Sequence, residues 1–176
     1  RNNLFANSGI VVEINAEQDL HKYEHFGELK GLEFQKDLEK ISYYAGGRSQ
    51  TAPAQRVTDF VEGKLSTNLN DCSYQPGLKS APLHSLLPKI IGGRLRKGFA
   101  AFGEKMHGYY TNEANIIGVE SRTSSPIRIP RDAELLNHPQ ITNLYPCGEG
   151  AGYAGGIISA AIDGEKCAEQ ISLNCS

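Results

Sequence analysis

A chain of 176 residues and 19.2 kDa has room for one domain of ordinary size, or one and a half. Its 39% hydrophobic and 22% charged residues describe a globular composition and argue against extended disorder, while a formal net charge of −2 excludes a protein that grips nucleic acid by bulk electrostatics. No apolar run approaches the ~20 residues needed to span a bilayer, so no membrane partner is expected.

In chain order, the β-branched residues 8–14, bounded by Asn, Ser and Gly, predict a strand. Residues 29–44 place Leu29, Leu32, Phe34, Leu38, Ile41 and Tyr44 at spacings dominated by three and four, which predicts an amphipathic helix ended by Gly46-Gly47. Residues 52–63 predict a second helix, with Thr51 as its cap, Pro53 in its first turn and Gly63 as its stop. Residues 64–82, rich in Asn, Ser, Asp, Pro and Gly, read as an irregular connector. Two more helical patterns follow at 83–91 and 94–109, separated by Gly92-Gly93. The surplus of basic residues between Lys79 and Lys105 reads as a solvated helix face in preference to a contact surface. Residues 116–121 and 127–129 predict strands on either side of a hydroxyl-rich turn, residues 132–138 one or two helical turns, and residues 141–146 a strand leading into a glycine cluster. A final helix is expected over 156–173.

That cluster concentrates five glycines in the ten residues 147–156. Gly150, Gly152 and Gly155 match G-x-G-x-x-G, the spacing that lets backbone amides and a helix N-terminus approach a pyrophosphate. A self-sufficient dinucleotide fold would need a further strand and an acid about twenty residues on. Only 21 residues follow Gly155, and the helix uses nearly all of them. Either the cluster is a tightly packed helix start that binds nothing, or it faces a ligand, with Glu149 accepting hydrogen bonds from a hydroxyl-bearing group. Glycine-rich backbone is entropically costly to order, which favours the second reading.

The block from Leu144 to Ile157, with Ser159-Ala160-Ala161 and Asp163-Gly164, resembles the C-terminal flavin-binding segment of the bacterial FAD-dependent dehydrogenases, also described as NAD(P)/FAD-dependent oxidoreductases. Residues 118–129 resemble the segment that precedes it, and Leu32-Glu33-Phe34-Gln35 and Ala52-Pro53-Ala54-Gln55-Arg56-Val57 resemble the domain inserted between the FAD-binding halves. The resemblance implies an α+β architecture: an inserted substrate or cap domain of several helices and a small sheet over residues 1–115, then return strands and a strand–Gly-loop–helix over 116–176. It implies FAD as cofactor, with NAD(P) as a further candidate, and a small-molecule substrate. Cofactor contacts would come from Gly148, Glu149, Gly150, Ala151, Gly152, Tyr153, Ala154, Gly155, Gly156 and Ile157, with Arg122, Thr123, Ser124 and Ser125 closer to the flavin ring or substrate. The Rossmann half that would grip the ADP portion is absent from this sequence, so this chain alone is expected to be inactive and not to retain flavin. The alternative reading is a non-enzymatic interaction module whose glycine loop is structural.

Other chemistry is weaker. Cys72, Cys147, Cys167 and Cys175 are too dispersed for a disulfide framework or a paired-cysteine zinc site and read as reduced thiols in the cytoplasm, with a Cys167–Cys175 bridge as an alternative. Cys147 reads as a buried structural residue rather than a reactive thiol. His21 and His25 stand four apart without a third ligand nearby, so no metal is expected, and no nucleophile elbow or H-E-x-x-H motif is present. The chain begins at Arg1 without an initiator Met or signal-peptide pattern, the expectation for a processed chain or a piece of a longer one.

Overall fold

A computed structural model describes residues 4–174 of the chain. Among them are six helices and a small mixed sheet: α1 (Ala16–Asp19), α2 (Lys30–Ala45), β1 (Ala52–Arg56), α3 (Val57–Glu62), β2 (Leu78–Ser80), α4 (Leu83–Leu86), α5 (Lys89–Lys105), β3 (Asn115–Ile117) and α6 (Ile157–Asn174), with a 3-10 segment at His21–Leu29. The architecture is α+β. The chain divides into two compact units, one of residues up to Asp19 together with 36–119, the other of residues 20–35 together with 120 onward.

The first unit is built on β1. It lies between β2, to which it runs parallel, and β3, to which it runs antiparallel, with Ala54 opposite Ser80 on one side and Ile117 on the other. A proline in a central strand is unusual because it cannot donate to the ladder. Pro53 is tolerated because it takes the last rung against β3, where its carbonyl accepts from the Gly118 N–H at 3.0 Å and only a terminal donor is lost. The core forms where β1 meets the helices: Ala54, Val57, Phe60, Leu83, Leu87, Ile91 and Phe99 are buried, and the Phe60 and Phe99 rings meet edge to face at 6.1 Å. Gln55 is wholly buried among them, with its amide oxygen accepting from the His84 N–H and its amide nitrogen donating to the Lys64 carbonyl. Burying such an amide without partners would cost about 1–3 kcal/mol, so these bonds are what make the position tenable.

Several sequence expectations are corrected here. Residues 52–63 are not one helix: the chain runs as β1 to Arg56 and only then turns into α3, and Thr51 caps nothing but donates to the Pro76 carbonyl. Burial of residues 52–55 in the sheet overrides their modest helical preference. Gly92-Gly93 does not divide two helices, because α5 runs through it; a Cβ added at Gly92 would only make ordinary contact with the His84 carbonyl and Leu87. Residues 8–14 alternate as a strand should, but their partner is a helix: Ile10 and Val12 line a cleft with Leu95, Gly98 and Phe102 of α5, and Arg94 ties the Glu13 carbonyl at 2.7 Å. The connector 64–82 is irregular as expected except where it supplies β2.

In the second unit, Gly31 lets α2 approach Pro126, and the Phe34 ring meets Tyr23 edge on at 5.5 Å. Gln35 donates to the Ser121 carbonyl. Residues 127–129 and 141–146 are not strands. Among the described residues the first has one backbone–backbone bond, the Ile129 N–H to the Ala151 carbonyl at 3.1 Å, and the second folds into turns closed by His138 and Ile141 carbonyls. Strand propensity without a neighbouring strand does not make a strand. Residues 132–138 form no helix but a turn in which the Asp132 carboxylate accepts the Glu134 and Leu135 N–H groups, both at 2.8 Å; these bonds hold its pKa below the ordinary carboxylate value. The glycine cluster is therefore turn–Gly-loop–helix in this structure, not strand–Gly-loop–helix. Its helix, α6, spans the expected residues and turns Asp163 and Cys167 inward, leaving Ile157, Ile158 and Ile162 exposed. No helix among the described residues is long and apolar enough to cross a membrane.

Candidate functional site

The glycine loop is held from inside by one ion pair. Arg131 grips Asp163 through two parallel bonds of 2.7 and 3.0 Å, with both side chains only 11–12% exposed. The same carboxylate accepts the Gly148 N–H at 2.9 Å, and the same guanidinium donates to the Pro146 carbonyl at 2.9 Å. The guanidinium also lies 3.6 Å from the centre of the Tyr153 ring, whose hydroxyl donates to the Ile129 carbonyl at 2.8 Å. The loop is thus fixed to one charged pair, Asp163 of α6 and Arg131 before the loop. The Arg131 contact lowers the Asp163 pKa from its ordinary value, burial opposing, and the Gly148 N–H adds to the effect; the Arg131 pKa is raised in return.

The five glycines are not equivalent. Gly148 and Gly152 have φ of +69° and +83°, a region side chains rarely adopt. A Cβ on Gly152 would stand 2.7 Å from the Ile127 carbonyl oxygen, so the close approach of loop and residues 127–128 needs glycine there. Gly150 and Gly155 have neither constraint: no positive φ, and open space where a Cβ would go. Gly156 is nearly as open, its closest neighbour being the Ser159 hydroxyl at 3.6 Å. Glu149, Gly150, Gly155, Gly156 and Ile157 are exposed, Ala151 is buried, and Tyr153 and Ala154 are half-buried. The loop therefore packs through Ala151, Gly152 and Tyr153 and presents Glu149, Gly150 and residues 155–157 outward, next to the first turn of α6.

Among the hydroxyl-rich turn residues, Ser125 reaches the loop. It bonds the Ile127 carbonyl at 2.8 Å and the Gly150 carbonyl at a long 3.4 Å. Arg122, Thr123 and Ser124 are exposed. Cys147, expected to be buried, is exposed, and the buried thiol is Cys167; Cys175 lies outside the described residues. The His25 ring lies 4.0 Å from Phe26, tilted by 40°, and no cluster of three His, Cys, Asp or Glu side chains among the described residues could hold a metal. Sequence reading missed Arg131 altogether. Its partner is 32 residues away, and nothing in the local pattern pairs them.

Comparison with known proteins gives the class of this α+β chain: it belongs to the family described as FAD-dependent protein, C-terminal domain-like, whose model matches residues 1–123. An uncharacterized protein of Clostridium beijerinckii (strain ATCC 51743 / NCIMB 8052) is 40% identical over 168 residues, a match covering 94% of this chain. The chain spans 31% of that relative's length. The family match stops short of the glycine loop.

Proposed function

We propose that this chain is the C-terminal part of an FAD-dependent oxidoreductase. Residues 1–115 serve as its inserted substrate or cap domain, and residues 116–176 return the chain to the flavin. The observation that carries the reading is the pair Gly150 and Gly155: neither the fold's dihedrals nor its packing requires glycine at either place, yet both stand on the outward side of the loop. Bare backbone kept there suits a ligand that lies against amides.

The donor set fits FAD. The first N–H groups of α6 have no intrahelical partners and favour an anion such as a pyrophosphate. The exposed Glu149 carboxylate is an acceptor for ribityl hydroxyls, with Gly148, Gly152, Ala151, Tyr153 and Ala154 shaping the loop and Gly155, Gly156 and Ile157 meeting the cofactor. Thr123, Ser124, Ser125 and Arg122 stand on the flavin or substrate side. When bound, the flavin supplies hydride and electron transfer, and the protein's part is binding, orientation and exclusion of water. A small molecule is the substrate, NAD(P) is a candidate electron partner, and the remaining contacts come from a Rossmann half outside this chain.

Flavin titration of the full-length polypeptide beside this chain tests the reading. Full-length protein is expected to bind FAD, and Glu149→Ala to weaken binding about 10-fold or more, the worth of a charge-assisted hydrogen bond. Unchanged affinity in that variant removes Glu149 from the site.

A further inference from the structure

Residues 9–14 carry a row of backbone groups that the described chain leaves almost unused. Their burial alternates, with Ile10, Val12 and Ile14 half-buried and Val11 and Glu13 exposed, Val11 by 68%, which is the period-two signature of an extended segment. One face of the segment is anchored. Ile10 and Val12 line the cleft with Leu95 and Phe102 of α5, the Arg94 guanidinium holds the Glu13 carbonyl at 2.7 Å, and the Ser8 and Tyr109 hydroxyls bond at 3.2 Å. The backbone edge is open. Among the described residues no hydrogen bond uses the N–H of any residue from Gly9 to Ile14, and of their carbonyls Glu13 alone has a partner. Edges that stay open in stable proteins are blunted by lysine, proline or a bulge. The run Gly9-Ile10-Val11-Val12-Glu13-Ile14 has neither lysine nor proline, and its β-branched residues suit a paired strand.

We propose that Ile10, Val12 and Ile14 form the pairing edge for a β-strand supplied by the part of the longer polypeptide outside these 176 residues. In an extended segment alternate residues aim their N–H and C=O groups at opposite edges. Arg94 occupies the edge of Glu13, so the opposite edge is the one that receives the strand. Its occupant is an extended segment with apolar residues at alternate positions: main-chain bonds hold it, and its inward side chains continue the layer of Ile10 and Val12. This chain spans 31% of its Clostridium beijerinckii relative, so most of that polypeptide lies outside the matched part. A tethered strand meets the edge at an effective concentration on the order of millimolar, above that of a second copy in dilute solution. The proposal rests on the chain's being part of a longer polypeptide, but not on flavin binding.

Amide hydrogen exchange at single-residue resolution tests it on the full-length polypeptide, with this chain alone as reference. In the chain alone the N–H groups from Gly9 to Ile14 should exchange as open backbone. In the full-length protein those of Ile10, Val12 and Ile14 should slow by about 100-fold or more, and those of Val11 and Glu13 far less. Equal protection along the segment, no protection, or protection that vanishes when the full-length protein is diluted to monomer would each overturn the proposal, the last by assigning the edge to a second copy. If this chain does not fold alone, the alternation within the full-length protein still decides. Flavin absorbance of the same sample tests the oxidoreductase reading separately: a colourless protein with alternating protection keeps the strand, and a yellow one with open backbone at Ile10, Val12 and Ile14 loses it.

Discussion

Gly152 and Gly155 stand three residues apart and carry opposite burdens. Gly152→Ala would force a side chain to φ +83° and into the Ile127 carbonyl, and is expected to destabilise the fold by about 2 kcal/mol or more in urea titration. Gly155→Ala meets open space and an ordinary backbone, so its stability should stay within about 1 kcal/mol of the parent, while FAD affinity in the full-length protein falls. Loss of neither quantity in Gly155→Ala would count against a ligand at that position. Asp163→Ala leaves the Arg131 charge buried without a partner and frees the Gly148 N–H; about 3 kcal/mol of stability should be lost. Because the Asp163 pKa is lowered on folding, its contribution is full above the unfolded value of about 3.9 and disappears as pH falls through the lower folded value. Acid unfolding followed by circular dichroism should therefore lose its low-pH component in Asp163→Ala.

At the scale of elements, the long helices were legible and, apart from β3, which falls at the start of the strand expected over 116–121, the strands were not. Spacing alone located α2 and α6, because a helix satisfies its own backbone and shows its buried face every three or four residues. The segments 8–14, 127–129 and 141–146 have strand-like composition, but a strand exists only when another offers its edge, and the chain's own sequence does not say which. Residues 8–14 found α5 instead, and β1 was hidden inside what reads as a helix. α5 shows that glycine pairs need not break a helix once tertiary packing covers it. Gly93 is exposed, and a Cβ there would meet nothing, so Gly93→Ala should raise the thermal midpoint, worth up to about 1 kcal/mol. Gly103→Ala should lower it, since a Cβ there would stand 2.5 Å from the Tyr110 Cβ.

For the molecule as a whole, the chain belongs to the FAD-dependent protein, C-terminal domain-like family and spans 31% of the relative's length, so the proposed flavin binding is to be tested on the longer polypeptide. The purified chain by itself is expected to show no stoichiometric flavin absorbance, and the full-length polypeptide to show it. A yellow chain of these 176 residues alone would mean that the glycine loop binds FAD without a Rossmann half.

The sequence by itself determined the helices with strong periodicity, the glycine cluster and its likeness to a flavin-binding segment, since these depend on residues close together along the chain. Tertiary structure decided the rest. Only folding brings Arg131 to Asp163 across 32 residues and separates glycines the packing needs from those it leaves open. Each of these depends on which distant groups become neighbours, and local propensity carries no record of that.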